Sequence, residues 1–212
     1  MRATVVAFGG RVDERVRPYL EAADMIVAAD GGAAALLALG MVPQAAVGDF
    51  DSLAQEARER LISLGCPLVQ VRPEKDETDT ELAVRYALEQ GASSITLLGG
   101  IGSRLDHTWA NLVLLARLAQ RGIEAQAVTP PLTVHATGSR LTICGRPGDT
   151  VSVFPVFGSA VGVTEEGFKY ALNDRTLKDS DILGVSNELS SREGRITVRS
   201  GVLLVFHYRQ EE

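Results

Sequence analysis

The sequence predicts an α/β protein of 212 residues. An N-terminal doubly wound, mostly parallel sheet domain (residues 1–129) is followed by a small C-terminal all-β sandwich domain (residues 135–212). Three observations carry this expectation. β-rich runs alternate with helical ones up to residue 129, Pro130-Pro131 breaks the rhythm, and no helical periodicity appears afterwards. Strands alternating with helices indicate parallel crossovers, and a run of strands alone indicates a sandwich.

Taken in order, strands are expected at 4–8, 25–29, 45–47, 68–71, 94–98 and 124–128. Helices are expected at 33–39, 54–64, 80–90 and 107–121, each stopped by a glycine: Gly40, Gly65, Gly91 and Gly122. Glycine just past a helix end supplies the left-handed residue that caps it. The last helix carries Trp109, Leu112, Val113, Ala116 and Ala119 on one face at helical spacing, which marks that face as core. In the second half, alternation at 150–154 and 195–199 reads as strands. Ser200-Gly201 reads as a two-residue hairpin joining 195–199 to 202–206.

Composition narrows the function classes. With 45% hydrophobic and 23% charged residues the chain is an ordinary globular protein, which excludes disordered and collagen-like classes. The formal net charge of −6 removes the electrostatic footprint of a general nucleic-acid binder. Polyanionic small ligands stay open, because a bound divalent cation inverts the local sign. Cys66 and Cys144 stand far apart, and His107, His135 and His207 are scattered, so no zinc pattern exists and a reduced cytoplasmic setting is expected. The apolar run at 3–8 is too short for a signal peptide. The uncharged stretch 31–48 contains Gly40, Pro43 and Gln44 and reads as helix, turn and strand, so no membrane span is expected.

Polar chemistry collects at the predicted strand ends, where open α/β sheets bind ligands. These ends read Gly9-Gly10, Asp30-Gly31-Gly32, Gly48-Asp49-Phe50-Asp51, and Gly99-Gly100-Ile101-Gly102-Ser103-Arg104-Leu105-Asp106-His107. Glycines let backbone approach a ligand closely, and Asp49 and Asp51 would project to one side of an extended segment. Hard oxygen donors at that spacing suit Mg²⁺, which takes one or two carboxylates plus substrate phosphates. A solvated turn would look the same locally. In Lys75-Asp76-Glu77-Thr78-Asp79-Thr80-Glu81, Thr78 and Glu81 fit a helix capping box. Asp79 and Lys75 remain as a further metal carboxylate and a phosphate-pairing cation. Asp106 fits a helix N-cap and His107 a first-turn surface residue, while Arg104 could grip phosphate oxygens as a fork. The dinucleotide fingerprint fails because Leu105 stands at its third glycine, and the P-loop and serine-hydrolase motifs are absent.

The ordered set of these segments resembles the thiamine pyrophosphokinases. Gly167-Phe168-Lys169-Tyr170-Ala171-Leu172 and Gly184-Val185-Ser186-Asn187-Glu188 add that family's C-terminal pattern, so the resemblance spans nearly the whole chain. It implies transfer of the β,γ-diphosphate of ATP to the hydroxyl of thiamine, giving thiamine diphosphate and AMP. It also implies a homodimer with thiamine near the subunit interface. The matched positions imply Mg²⁺ among Asp30, Asp49, Asp51 and Asp79. They place ATP against Gly31, Gly32, Lys75, Arg104, Asp106 and His107, and thiamine against Ser186 and Asn187. Asp79 or Asp106 would serve as any base for the hydroxyl proton. The single tryptophan, Trp109, lies outside the C-terminal half, which points to the bacterial branch. Phe168, Tyr170 and Tyr208 read as sandwich core. The rival readings are a pyrophosphokinase for another small alcohol such as a hydroxymethylpterin, a metal-dependent glycosyltransferase, and a non-catalytic nucleotide-binding sensor.

Overall fold

A computed structural model describes residues 1–212 except 7–12, 52, 72–75, 211 and 212. Packing divides the chain into two units: Met1–Asn111 with Ala127–Thr129, and Leu112–Gln126 with Pro130–Glu212.

In the first unit, five strands alternate with helices. They are β1 (Arg2–Val6), β2 (Met25–Ala29), β3 (Ala45–Gly48), β4 (Leu68–Gln70) and β5 (Ser94–Leu98). All pair in parallel in the order β4-β3-β2-β1-β5. Their carboxyl ends therefore share one edge, as a doubly wound sheet requires. The connecting helices are α1 (Arg17–Glu21), α2 (Gly32–Ala38), α3 (Gln55–Ser63) and α4 (Asp79–Glu89); α5 (Leu105–Gln120) begins in the first unit and runs on into residues of the second. The four predicted glycine stops hold: Gly40, Gly65, Gly91 and Gly122 all have positive φ. After α2, Met41 N donates to Leu36 O at 2.9 Å and Gly40 N to Leu37 O at 3.0 Å, the double bond of a Schellman cap.

The helix α1 has no counterpart in the sequence reading. It is five residues long and buries only Leu20, too little for a 3.6-residue period to register. The predicted face of the last helix fails at Trp109, which is exposed. Trp109 lies in the amino-terminal part of α5, ahead of the segment whose buried residues include Asn111, Leu112, Leu114, Leu115 and Leu118. A core cluster of the first unit gathers Val16, Leu20, Ile26, Leu36, Phe50, Leu61 and Leu98.

In the second unit, β7 (Leu132–Thr137), β13 (Ser200–Tyr208), β9 (Thr150–Glu166), β12 (Glu193–Thr197) and β8 (Arg140–Cys144) run in that order. The 17-residue β9 is shared between two sheets. Its first part pairs with β13, and its last part with β12 and with β10 (Leu172–Leu177). Between them Phe157 and Gly158 have φ of 62° and 113°, and this bend turns the strand from one sheet into the other. Val151, Val153, Val163, Phe168, Leu189, Ile196, Leu203 and Val205 fill the space between.

The expected hairpin at Ser200-Gly201 is not formed. β12 and β13 flank β9 on opposite sides and never pair, so Ser200 opens a crossing between sheets. The reading failed because a turn dipeptide between two alternating runs looks the same whether the strands pair or part. Cys66 and Cys144 are both free. Among the described residues, no helix is long and apolar enough to cross a membrane.

Candidate functional site

Asp30 follows β2, and Asp49 to Asp51 follow β3, so parallel pairing of the two strands brings these acids side by side. Asp30 N donates to Val47 O at 2.9 Å, which extends the ladder to the carboxylate itself. Gly48 stands directly opposite. A Cβ there would lie 3.1 Å from both Cα and Cβ of Asp30, closer than packed side chains normally come. Glycine is thus what allows the two strand ends to approach with an acid on each.

Asp49-Phe50-Asp51 is not the extended segment expected from its spacing. Phe50 has φ of 61° and its ring is buried in the core, while Asp51 N donates to Asp49 Oδ1 at 3.2 Å. The chain turns over an apolar anchor and leaves Asp49 half-buried and Asp51 exposed. Asp30, with φ of 44°, is also half-buried in a left-handed conformation. Two non-glycine residues of positive φ within one small region are uncommon and carry a strain that local packing must hold. Asp30, Asp49 and Asp51 each present a carboxylate oxygen, all within 4.8 Å of one another.

Asp79 is the first residue of α4 and outside this threesome. Thr78 caps that helix by accepting from Glu81 N at 3.2 Å, the threonine half of the expected capping box. Lys75, and Gly9-Gly10 after β1, lie outside the described residues. Gly31 is the N-cap of α2 and Gly32 its first residue.

Asp106 is not the N-cap of α5. The helix already begins at Leu105, so Asp106 sits inside the first turn, beside the positive helix end. It grips Arg104: Nη2 to Oδ2 is 2.6 Å and Nε to Oδ1 is 3.3 Å. The guanidinium hydrogen bonds hold the Asp106 carboxyl down to about 2. His107 is exposed in the same turn.

The glycine-rich loop ahead of α5 is held by residues the sequence reading passed over. Asn111, buried, donates through Nδ2 to Gly100 O at 2.7 Å. Thr108 Oγ1 accepts from Gly102 N at 3.1 Å, and Thr129 Oγ1 donates to Ile101 O at 3.3 Å. A lone asparagine among leucines on a helix was the available signal.

In the second unit the two C-terminal segments lie against each other. Phe168 and Leu189 form an antiparallel bridge, and Lys169 N donates to Glu188 O at 2.9 Å. Asn187 joins them with all its hydrogen-bonding capacity. Its Oδ1 accepts from Tyr170 N at 3.0 Å and Glu188 N at 2.9 Å. Its Nδ2 donates to Tyr170 O at 2.8 Å and Glu165 Oε2 at 2.7 Å. Ser186 is exposed at φ 60°, with its N–H bound to Ser152 Oγ at 2.9 Å. Of the aromatics read as core, only Phe168 is buried; Tyr170 is 62% exposed and Tyr208 44%.

Two family profiles match this chain: the thiamin pyrophosphokinase catalytic domain over residues 16–127 and the thiamin pyrophosphokinase vitamin B1 binding domain over residues 140–203. The chain belongs to the thiamine pyrophosphokinase family. The thiamine pyrophosphokinase of Bacillus subtilis (strain 168) is 29% identical over 189 residues, covering 88% of each chain. The crystal structure of the thiamine pyrophosphokinase from Bacillus subtilis superposes with a TM-score of 0.88 at 26% identity, covering 100% of both chains. That from Geobacillus thermodenitrificans gives 0.85 at 30% identity, covering 100% of this chain and 99% of its own. The expected α/β fold with a β-rich C-terminal domain is that of these bacterial thiamine pyrophosphokinases. The activity is accordingly thiamine pyrophosphokinase activity, a transferase reaction of kinase type with thiamine as acceptor.

Proposed function

We propose that ATP is the diphosphate donor, that Asp30, Asp49 and Asp51 hold Mg²⁺, and that the second unit carries thiamine. The observation behind this reading is the carboxylate threesome with its oxygens within 4.8 Å. Three hard, anionic oxygen donors at strand ends fit a small divalent cation that keeps sites for water and phosphate. When bound, Mg²⁺ would offset the polyphosphate charge that opposes attack by the thiamine hydroxyl.

The protein's own groups then position and bind. The thiamine hydroxyl oxygen bonds to the β-phosphorus, the bond from the β-phosphorus to the oxygen bridging it to the α-phosphorus breaks, and AMP leaves with that oxygen. Arg104 is oriented by Asp106 and presents a planar fork for phosphate oxygens. Asp106 is committed to its ion pair with Arg104, so Asp79 is the other of the two acids first considered for the hydroxyl proton. Asp79 takes an outer place around the metal. Gly31, Gly32, Lys75 and His107 complete the ATP side.

Ser186 and Tyr170 face thiamine; Asn187 serves by holding the Tyr170 backbone, and Ser152 Oγ holds the Ser186 N–H. The four bonds of Asn187 inside the chain leave it no free donor or acceptor for a ligand. Residues 1–129 act as the ATP and Mg²⁺ domain, and 135–212 as the thiamine-binding and dimerisation domain. Exposed Ile182, Leu183 and Val185 just before Ser186 support a homodimer with the reaction near the subunit interface. We place the enzyme in the cytoplasm.

The test is incubation with ATP, Mg²⁺ and thiamine and resolution of the nucleotide products. AMP with thiamine diphosphate is expected. ADP would mean transfer of a single phosphoryl group and would overturn the reading.

A further inference from the structure

The Asn187 clamp rests on a buried acid outside the carboxylate threesome. Glu165 lies near the end of β9, opposite Leu172 of β10 and Ile196 of β12. Its side chain is 3% exposed and lies on the same strand face as buried Val163, inside the sandwich. Oε2 accepts from Asn187 Nδ2 at 2.7 Å, and Oε1 has no hydrogen-bond partner among the described residues. A carboxylate buried in this way is costly, and each such orphaned oxygen calls for an explanation. A leucine would pack there without that cost.

Its position supplies the explanation. A carboxylate can only accept, so Glu165 turns the Asn187 amide nitrogen inward and fixes which end meets Tyr170 N–H and which Tyr170 C=O. Thiamine, moreover, bears a permanent positive charge on its thiazolium ring. A negative group in a low-dielectric interior acts on such a charge more strongly than one in water.

We propose that Glu165 is a positioning residue for thiamine: through Asn187 it fixes the Tyr170 backbone, and its buried carboxylate complements the substrate's fixed positive charge. This rests on the placement of thiamine in the second unit.

The state of Glu165 then matters at neutral pH. Burial pushes its carboxyl up to about 7, against the opposing effect of the Asn187 hydrogen bond. The charged groups on the surrounding elements are exposed. Glu166 of β9 and Glu193 of β12 pair with Arg195. On the clamp Lys169 pairs with Glu188, and on β10 Asp174 pairs with Arg199 while Arg175 is exposed. Thiamine binding should favour the ionised form, so the thiamine KM should fall as pH rises from 6 to 8.

Steady-state kinetics of the full chain at saturating ATP and Mg²⁺, with wild type, Glu165→Gln and Glu165→Leu, test this. Glu165→Gln keeps the shape without the charge. It is expected to raise the thiamine KM about tenfold at pH 8 and only about twofold at pH 6, with the ATP KM unchanged. Glu165→Leu is expected to raise the thiamine KM about tenfold across that pH range. Should it not fold, Glu165→Gln carries the test alone. A Glu165→Gln enzyme that keeps the wild-type pH dependence of the thiamine KM, or that shifts both KM values equally, would overturn the proposal. Thiamine binding by calorimetry separates this from the catalytic reading. A chain that binds thiamine with the expected pH dependence but forms no thiamine diphosphate overturns the catalytic reading alone. One that turns over with a pH-independent thiamine affinity overturns only the role of Glu165.

Discussion

The acids after β2 and β3 and the clamp around Asn187 solve opposite problems. Asp30, Asp49 and Asp51 are half-buried or exposed, lie on left-handed or turning backbone, and bring carboxylate oxygens together. Like charges at that distance repel, so the arrangement stores unfavourable energy that a divalent cation would relieve. Around Asn187 the side chain is buried and every polar position of its amide is matched within the chain. On the reading proposed above, one region is completed by a ligand and the other holds a shape. A residue of the first kind acts by direct contact, and one of the second kind by placing its neighbours.

Asp51→Asn would break the first region most severely. Turnover at saturating Mg²⁺ is expected to drop by two orders of magnitude or more, with an unchanged circular dichroism spectrum and, without metal, a melting temperature no lower than wild type because one of the repelling charges is gone; the scale is about that of removing one electrostatic contact to a reacting phosphate. Near-normal turnover would remove Asp51 from the metal. Asn187→Ala breaks the second region. It is expected to raise the thiamine KM about tenfold, with the ATP KM unmoved, and to lower stability by about 1–3 kcal/mol, because Glu165 and the Tyr170 backbone lose their partner. Denaturant melts beside the two KM measurements check both parts.

Glu165 sharpens the comparison through pH. Its folded-state value, about 7, lies above the ordinary carboxyl value of 4.5, so the folded protein binds this proton more tightly than the unfolded chain does. The resulting stability is fully present below about 4.5 and is lost as pH rises through about 7. The wild type should therefore lose stability relative to Glu165→Gln between pH 5 and 8, by at most on the order of 3 kcal/mol. A stability difference constant across that range would contradict the burial argument. The smallest effect on the fold is expected from Arg104→Ala. Its ion pair with Asp106 is exposed, and such pairs contribute little to stability. The melting temperature should stay put while the ATP KM rises, which a thermal melt and ATP titration would show.

What could be read from the sequence divides along physical lines. Helix stops were legible because Gly40, Gly65, Gly91 and Gly122 carry a local requirement, positive φ, that the backbone alone imposes. The acid cluster was legible as composition at strand ends. Its shape was not, because the buried Phe50 ring that turns the segment looked like any apolar residue between two acids. The Ser200 crossing and the bend at Phe157-Gly158 depend on which sheet each strand joins, a long-range choice that no window of residues contains. Asn187 was found by resemblance, yet its saturation by Tyr170, Glu188 and Glu165 appears only when residues far apart in the chain meet. Glu165 itself was passed over as one acid among 27 Asp and Glu residues.

The division between the two regions is tested most directly by comparing Gly48→Ala with Asn187→Ala. For each, the Mg²⁺ concentration giving half-maximal activity and the thiamine KM are measured side by side. A Cβ at Gly48 presses on Asp30 and should raise the Mg²⁺ requirement about tenfold while leaving the thiamine KM near wild type. Asn187→Ala should raise the thiamine KM and leave the Mg²⁺ requirement alone. If both constants move together in either variant, the assignment of metal to one region and thiamine to the other is wrong.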